Sequence, residues 1–295
     1  MQIGVTFPQY EIGADPAAIR EYALEAEDLG YEHLLAYDHV LGADPANREG
    51  WSGYSHEQMF HEVFVLFGYL AAIAPRLELV TGVVILPQRQ AALVAKQAAQ
   101  VDVLTGGKFR LGVGVGWNAV EYEALGMNFK TRGKLIEEQV ELMRRLWEQE
   151  VISFDGKFHR VTEAGINPLP IRRAIPVWMG GGADVLLRRT ARLGDGWFPQ
   201  GRPDEEMRRK LDLLRCYTEE AGRDPNTVGI EARVNVGDGI GECVRQTQAW
   251  QALGATHISI NTMGAGLATP SSHIEAIRSY MDAVQATTVQ TGSTK

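Results

Sequence analysis

The adjacent pair Asp38-His39 closes a short apolar run and sets a carboxylate beside an imidazole. Imidazole is the side chain whose ordinary titration falls near neutral pH, which makes His39 the natural proton carrier of this chain. Polar or side-chain-poor positions end other strand-like runs: Thr81-Gly82-Val83, Trp117-Asn118, Met179-Gly180-Gly181-Gly182-Ala183 and Gln200. One histidine, one carboxylate, some amides and many bare backbone N–H groups make a poor hydrolase. They suit a planar cofactor that brings its own chemistry. Gly180–Ala183 separates a strand-like run from a helical one, where free amides can bind an anion or phosphate. Three glycines would serve a tight strand-to-helix turn equally well, and Asp184 would either repel a phosphate or cap the helix.

Other candidate motifs are weaker. Gly112-Val113-Gly114-Val115-Gly116-Trp117 lacks the third glycine of a dinucleotide fingerprint, which excludes that reading; its alternating glycines favour room for a bulky group over simple packing. His56 and His61 stand five apart and do not share a helix face, so no metal site is expected. His33 and His257 read as packed histidines. Glu231 and Arg233 share one strand face and are expected to form a structural ion pair inside the fold.

The elements that must position these groups alternate regularly. Strands are expected at Gln2–Phe7, His33–His39, Leu77–Leu86, Phe109–Val115, Ile175–Met179, Gly196–Phe198, Val228–Val234 and His257–Ile260, with helical patterns between them. Asp15-Pro16 opens the first helix, whose stripe is Ile19, Tyr22, Ala23, Ala26 and Leu29. A later stripe runs Leu135, Ile136, Val140, Met143, Leu146 and Trp147, and the last runs Ile274, Ile277, Met281 and Val284. Continuous apolar strands suit a parallel sheet covered on both faces, and the whole pattern predicts an α/β protein, a single-domain (β/α)8 TIM barrel over residues 1–286. Leu41–Tyr54 and Val151–Arg173 are expected as insertions over its C-terminal mouth. The polar tail, residues 287–295, is expected to be poorly ordered.

The 295 residues carry 45% apolar side chains and a formal charge of −8, which gives nucleic acid no basic face to bind. Two cysteines, Cys216 and Cys243, are too few for a disulfide framework. No signal-like or membrane-spanning run stands out, so a cytoplasmic protein without membrane or nucleic-acid partners is expected.

Taken together, Tyr37-Asp38-His39, Thr81-Gly82-Val83 with Pro87, the run Gly107 to Asn118, Glu121 through Gly126, and Gly180 through Trp197 resemble the luciferase-like monooxygenase superfamily. The likeness is to its deazaflavin branch, which uses coenzyme F-420. The resemblance implies a cofactor ring against a bulged third strand, with a non-prolyl cis peptide at Gly82-Val83, and Asp38 and His39 beside the ring. It also implies Trp117 and Asn118 at the ring or acid position, and Met179–Ala183 on the cofactor phosphate. Thr81 belongs to the same third-strand motif. Val115 stands near the arginine that grips flavin phosphate in bacterial luciferases, which weighs against FMN. Trp117 stands where sugar-phosphate-oxidising relatives place a glutamate, which weighs against that activity.

The expected activity is hydride transfer between F-420 and a small organic substrate, with His39 and Asp38 catalytic. The alternatives are an FMN-dependent two-component monooxygenase served by a separate reductase, and a non-catalytic flavin carrier. A homodimer is expected, with Met59, Val63, Leu66 and Phe67 read equally as candidate contacts or as buried core residues. Trp51, Tyr54 and Phe60 hint at an apolar or ring-bearing substrate, or simply pack an ordered loop.

Overall fold

The computed structural model describes residues 1–292, with side chains through Thr287. Parallel strands β1 (Gln2–Thr6), β2 (His33–Ala36), β3 (Glu78–Thr81), β4 (Val84–Ile85) and β5 (Phe109–Gly114) form one side of the sheet. Strands β8 (Val177–Gly180), β9 (Gly196–Phe198), β10 (Gly229–Asn235) and β11 (His257–Asn261) form the other. With β3 and β4 as two halves of one strand, this is a closed eight-stranded barrel. Closure is made by β3 on β5, through Leu79 opposite Phe109 and Val80 opposite Arg110. Val5, Leu34, Leu79, Leu111, Val177 and Ile260 share the face that the helices cover, while Leu35, Arg110, Trp178 and Glu231 are buried on the opposite face, inside the barrel.

The helices are α1 (Pro16–Asp28), α2 (Val63–Ile73), α3 (Ala91–Leu104), α4 (Ala119–Ala124), α5 (Arg132–Glu148), α6 (Asp184–Leu193), α7 (Glu205–Glu220), α8 (Ile240–Ala252) and α9 (Pro270–Gly292). Asp15 caps α1 by accepting the Ala17 amide at 2.9 Å. The stripes read from the sequence are the buried ones in α1 and α5, down to Trp147, whose Nε1 donates to Ala95 O at 3.0 Å. α9 runs to Gly292, so the polar segment from Thr287 begins inside a helix. Residues 293–295 of the expected tail lie outside the described residues.

Several expectations need correction. The second strand stops at Ala36, because Tyr37 turns out of the sheet and its carbonyl accepts Gln9 Nε2 at 2.7 Å. The third strand is not continuous over Leu77–Leu86: it breaks at Gly82-Val83, where the peptide bond is cis as the resemblance implied, and ends in a turn of 3-10 helix at Leu86–Gln88. Val151–Arg173 does not cover the mouth. It joins the end of α5 to the start of β8, and such a connection lies at the opposite end of a βα barrel. There it folds into an antiparallel hairpin missed in the sequence, β6 (Ile152–Asp155) and β7 (Arg160–Ala164). Amides of Lys157, Phe158 and His159 bond the Glu138 carboxylate of α5, and the Ile171 amide bonds Asp102 of α3. Of the candidate dimer contacts, Val63, Leu66 and Phe67 face the core, and only Met59 is exposed.

Candidate active site

A cavity of about 500 Å³ opens at the C-terminal ends of the strands. Its wall includes Asp38, His39, Gly82, Val83, Trp117, Gly180 and Gly181 from the expected set, together with Tyr10, Tyr37, Tyr54, Phe198, Gln200 and Arg233. Thr81, Asn118, Met179, Gly182 and Ala183 stand behind or beside it. Thr81 Oγ1 donates to Gly112 O at 2.8 Å and so ties β3 to β5. Asn118 is the N-cap of α4, accepting the Val120 amide at 3.0 Å. Met179 is buried in the core, and Gly182 and Ala183 lead into α6.

Leaving the sheet after Ala36 carries Asp38 and His39 to different partners. Asp38 is buried and pairs with Arg89 at 2.8 Å, and Arg89 also holds Glu62 at 3.1 Å. Burial pushes the Asp38 carboxyl up, against the pull of that guanidinium. His39 is clasped by the rings of Tyr54 and Phe60, each with its centroid 4.8 Å away, and its Nδ1 lies 3.2 Å from Glu121 Oε1. Glu121 is buried and also accepts the Val40 amide at 2.9 Å and Gln88 Nε2 at 3.4 Å. Burial raises this carboxyl, but the bonds from His39, Val40 and Gln88 outweigh it and hold Glu121 below the usual carboxylate range. A buried carboxylate accepts only, so the imidazole donates from Nδ1, and Nε2 is left for the cavity.

Glu121 opens one of the segments that carry the family resemblance, but nothing in the sequence assigned it a role of its own. Its spacing from Asn118 is that of a capping box, a signal that reads as a helix start and hides a role toward another loop. Arg89 carried no signal, since nothing local links it to Asp38.

The floor of the cavity is charged. Glu231 receives His33 Nε2 at 2.9 Å, Ser259 Oγ and Arg110 Nη1 at 2.8 Å, while Arg110 Nε reaches Glu78 at 2.6 Å. Burial opposes the Glu231 anion, but His33 and then Arg110 hold its carboxyl far below the ordinary range. The expected pairing of Glu231 with Arg233 is therefore not made, because Glu231 is already satisfied by partners from other strands. Arg233, two residues nearer the mouth, donates to Tyr37 Oη instead.

Of the alternating glycines, Gly114 and Gly116 line the cavity, and packing gives them a second reason to be bare. A Cβ on Gly112 would stand 1.9 Å from Thr81 O, and one on Gly114 would stand 2.7 Å from Val83 Cγ2. At both positions the interrupted third strand presses on β5, so packing accounts for Gly112, and packing and the cavity together for Gly114. The Gly180–Ala183 turn is different. Trp197 Nε1 donates to Gly181 O at 2.7 Å and fixes the turn, yet a Cβ on Gly182 would meet nothing within 4 Å. Leu186 and Leu187 N–H already bond Ala183 O, at 2.9 and 3.2 Å, but the Asp184 and Val185 amides that open α6 have no acceptor inside the helix. Asp184 does not cap them, since its carboxylate accepts Tyr217 Oη at 2.6 Å and Arg188 Nε at 3.0 Å. Among the described residues no cluster of three His, Cys, Asp or Glu side chains is placed to hold a metal, and no helix is long and apolar enough to cross a membrane.

Comparison with known proteins matches residues 2–289 to the model of the luciferase-like monooxygenases. An uncharacterized protein of Mycobacterium tuberculosis is 35% identical over 68% of this chain and 71% of its own length. An F420-dependent glucose-6-phosphate dehydrogenase of Kribbella flavida is 28% identical over 82% of this chain and 71% of its own. An FMNH2-dependent dimethylsulfone monooxygenase of Pseudomonas putida is 26% identical over 73% and 57%. Among solved structures, the monooxygenase RslO1 of Streptomyces bottropensis superposes with a TM-score of 0.79 at 19% identity, covering 97% of this chain and 99% of that one.

Proposed function

Since this chain belongs to the luciferase-like monooxygenase family, we propose that it transfers a hydride between the deazaflavin coenzyme F-420 and a small organic substrate, with His39 moving the accompanying proton. The observation that carries this reading is the His39–Glu121 pair at the wall of a cavity whose opposite surfaces are backbone at Gly82, Gly180 and Gly181. Its volume, about 500 Å³, lies within the range of cofactor pockets. The open approach at Gly182 and the two opening amides of α6, at Asp184 and Val185, fit a phosphate.

Bound there, the deazaflavin would supply or take up the hydride. The chain's own groups do the rest. Glu121 fixes the ring of His39, so that Nε2 gives a proton to, or takes one from, a substrate oxygen. Asp38, neutralised by Arg89, anchors the loop that bears His39. Val83 and Trp117 wall the ring side, while Thr81, Asn118 and Met179 hold their neighbours from behind. Gly180 to Ala183 would take the phosphate end of the cofactor. A homodimer remains part of the proposal.

The Kribbella relative, F420-dependent by name, supports the deazaflavin. The Pseudomonas relative, FMNH2-dependent by name, supports a second reading, a monooxygenase fed by a separate flavin reductase. Val115 on the cavity wall offers flavin phosphate no cation. Loss of one charge-assisted contact corresponds to roughly ten- to a hundredfold in affinity. Fluorescence titration of the purified protein is therefore expected to give tighter binding of F-420 than of FMN by about that factor; tighter FMN binding would transfer the conclusion to the second reading.

A further inference from the structure

The cavity is lined by one cation, Arg233, and among the described residues no carboxylate lies within ion-pair distance of it. The guanidinium groups of Arg110 and Arg89 are matched, Arg110 by Glu78 and Glu231, and Arg89 by Asp38 and Glu62. Arg233 is instead held by a neutral group. It donates to Tyr37 Oη, and its guanidinium carbon lies 5.5 Å from the centre of that ring. One side of the planar fork is thus fixed by Tyr37, and the side chain remains exposed toward the cavity. We propose that Arg233 is a substrate anchor, and that the substrate of this site is an organic oxyanion whose carboxylate, or a group of the same shape and charge, docks on the guanidinium.

Three further observations fit. Tyr10, Tyr37 and Tyr54 surround this end of the cavity, and burial raises all three phenols, so each stays a neutral hydrogen-bond donor and none cancels the charge of Arg233. Their rings also form a path to the proton carrier: Tyr10 lies 6.0 Å from Tyr54, and Tyr54 lies 4.8 Å from His39. A molecule held at Arg233 by its anionic end therefore lays its body along aromatic surface and presents its far end to His39. Finally, a planar guanidinium with one edge already fixed loses little freedom when it takes a bidentate oxyanion.

The inference deepens the proposed hydride transfer by naming its substrate class, and it rests on that reading only for the reaction. Binding to the full-length protein can be measured without cofactor. Calorimetric titration with benzoate and benzenesulfonate, with benzamide as the uncharged control, is expected to show saturable binding of at least one anion, at least tenfold tighter than benzamide. Arg233→Met and Arg233→Gln should each weaken the anion tenfold or more and leave benzamide unchanged, with Arg233→Lys in between. No saturable anion binding to the parent, or equal binding to the folded variants, overturns the proposal.

A second arm identifies the source of the anion. FMN and riboflavin are titrated into the parent and Arg233→Met. An unchanged ratio of the two affinities leaves Arg233 to the substrate, whereas selective loss for FMN would give the guanidinium to a cofactor phosphate and overturn the assignment. Failure of F-420 and FMN to bind a protein that still binds benzoate would sink the proposed function alone.

Discussion

His39 Nδ1 and the Glu121 carboxylate meet at 3.2 Å, and the same carboxylate oxygen receives the amide of Val40, the residue that follows His39, at 2.9 Å. The imidazole is thus oriented by an anion that is itself fixed by the imidazole's own loop. Rotating the ring would break the bond at Nδ1 while the bond at Val40 kept the carboxylate in place, so the pair has one well-defined geometry.

The first prediction concerns Glu121→Gln. The amide retains an acceptor for Val40 but loses the charge facing His39. Removing an orienting carboxylate typically costs ten- to a hundredfold in activity. kcat is expected to fall by about that factor with cofactor affinity nearly unchanged. A parental kcat would reduce Glu121 to a loop clamp.

The glycine turn permits a test that separates strain from ligand contact. Gly181 has φ +133°, and its added Cβ would stand 3.2 Å from Leu186 Cδ2, so Gly181→Val should lower the thermal midpoint whether or not a phosphate binds there. Gly182 meets nothing within 4 Å and is free of that backbone restriction. Gly182→Val is therefore expected to melt near the parent temperature yet bind cofactor at least tenfold more weakly. Parental affinity in this variant would move the phosphate away from the turn.

Acid stability should fall in two windows. His257 is pushed down to about 3 by burial and then by the Arg110 cation, and burial lowers His273 as well. Both are neutral in the folded chain but take up protons when unfolded near their ordinary 6.5, so the stability they confer is present above 6.5 and declines as the pH falls toward the folded values. Glu231 and Glu121, depressed carboxylates, act lower: their contribution is complete above about 4.5 and is lost as the pH falls through their folded values. His257→Gln should flatten the decline in melting temperature between pH 6.5 and 4.5 by about 2–4 °C, the scale of about 1 kcal/mol in a chain of this size. Parallel curves for variant and parent would show that His257 protonates as freely in the folded chain.

The barrel was legible in the sequence because buried parallel strands and amphipathic helices write their periods locally. Leu135 through Trp147 announce a buried stripe, and Gly196–Phe198 announces its strand to the residue. The hairpin at Ile152–Ala164 was not legible, since its second strand is largely exposed and lacks an apolar face. Within the site, Asp38, His39 and Gly180–Gly181 stood out by residue type and by their place at strand ends. The role of Glu121, the place of Arg89 and the freedom of Arg233 did not, because each depends on which distant strand or loop supplies its partner. The Glu231–Arg233 pairing failed for that reason: spacing along one strand is blind to Arg110 arriving from β5 and His33 from β2.

His39→Asn is the sharpest remaining test, because the geometry tells what Asn can and cannot replace. An asparagine amide at this position can still donate toward Glu121, where His39 Nδ1 now lies, so the buried carboxylate need not be left without its partner. The Tyr54 and Phe60 rings that pack on the imidazole would lose some contact, a modest cost at a partly exposed position. What disappears is Nε2, and with it any group able to pass a proton from this side of the cavity. A positioned general acid or base contributes typically 10²–10⁴-fold. After a screen of carbonyl, alcohol and activated-alkene compounds has found a turned-over substrate, single-turnover transfer in the variant is expected to fall by roughly two to four decades, with the fold and most of the cofactor affinity kept. Addition of small imidazoles should restore part of the rate if the missing group is a proton carrier, since the truncation opens space beside Tyr54. A parental rate at saturating cofactor would remove His39 from the chemistry and turn attention to Trp117, Asn118 or a bound water, and a uniform loss of cofactor affinity with unchanged transfer would make the histidine a ring-binding residue only.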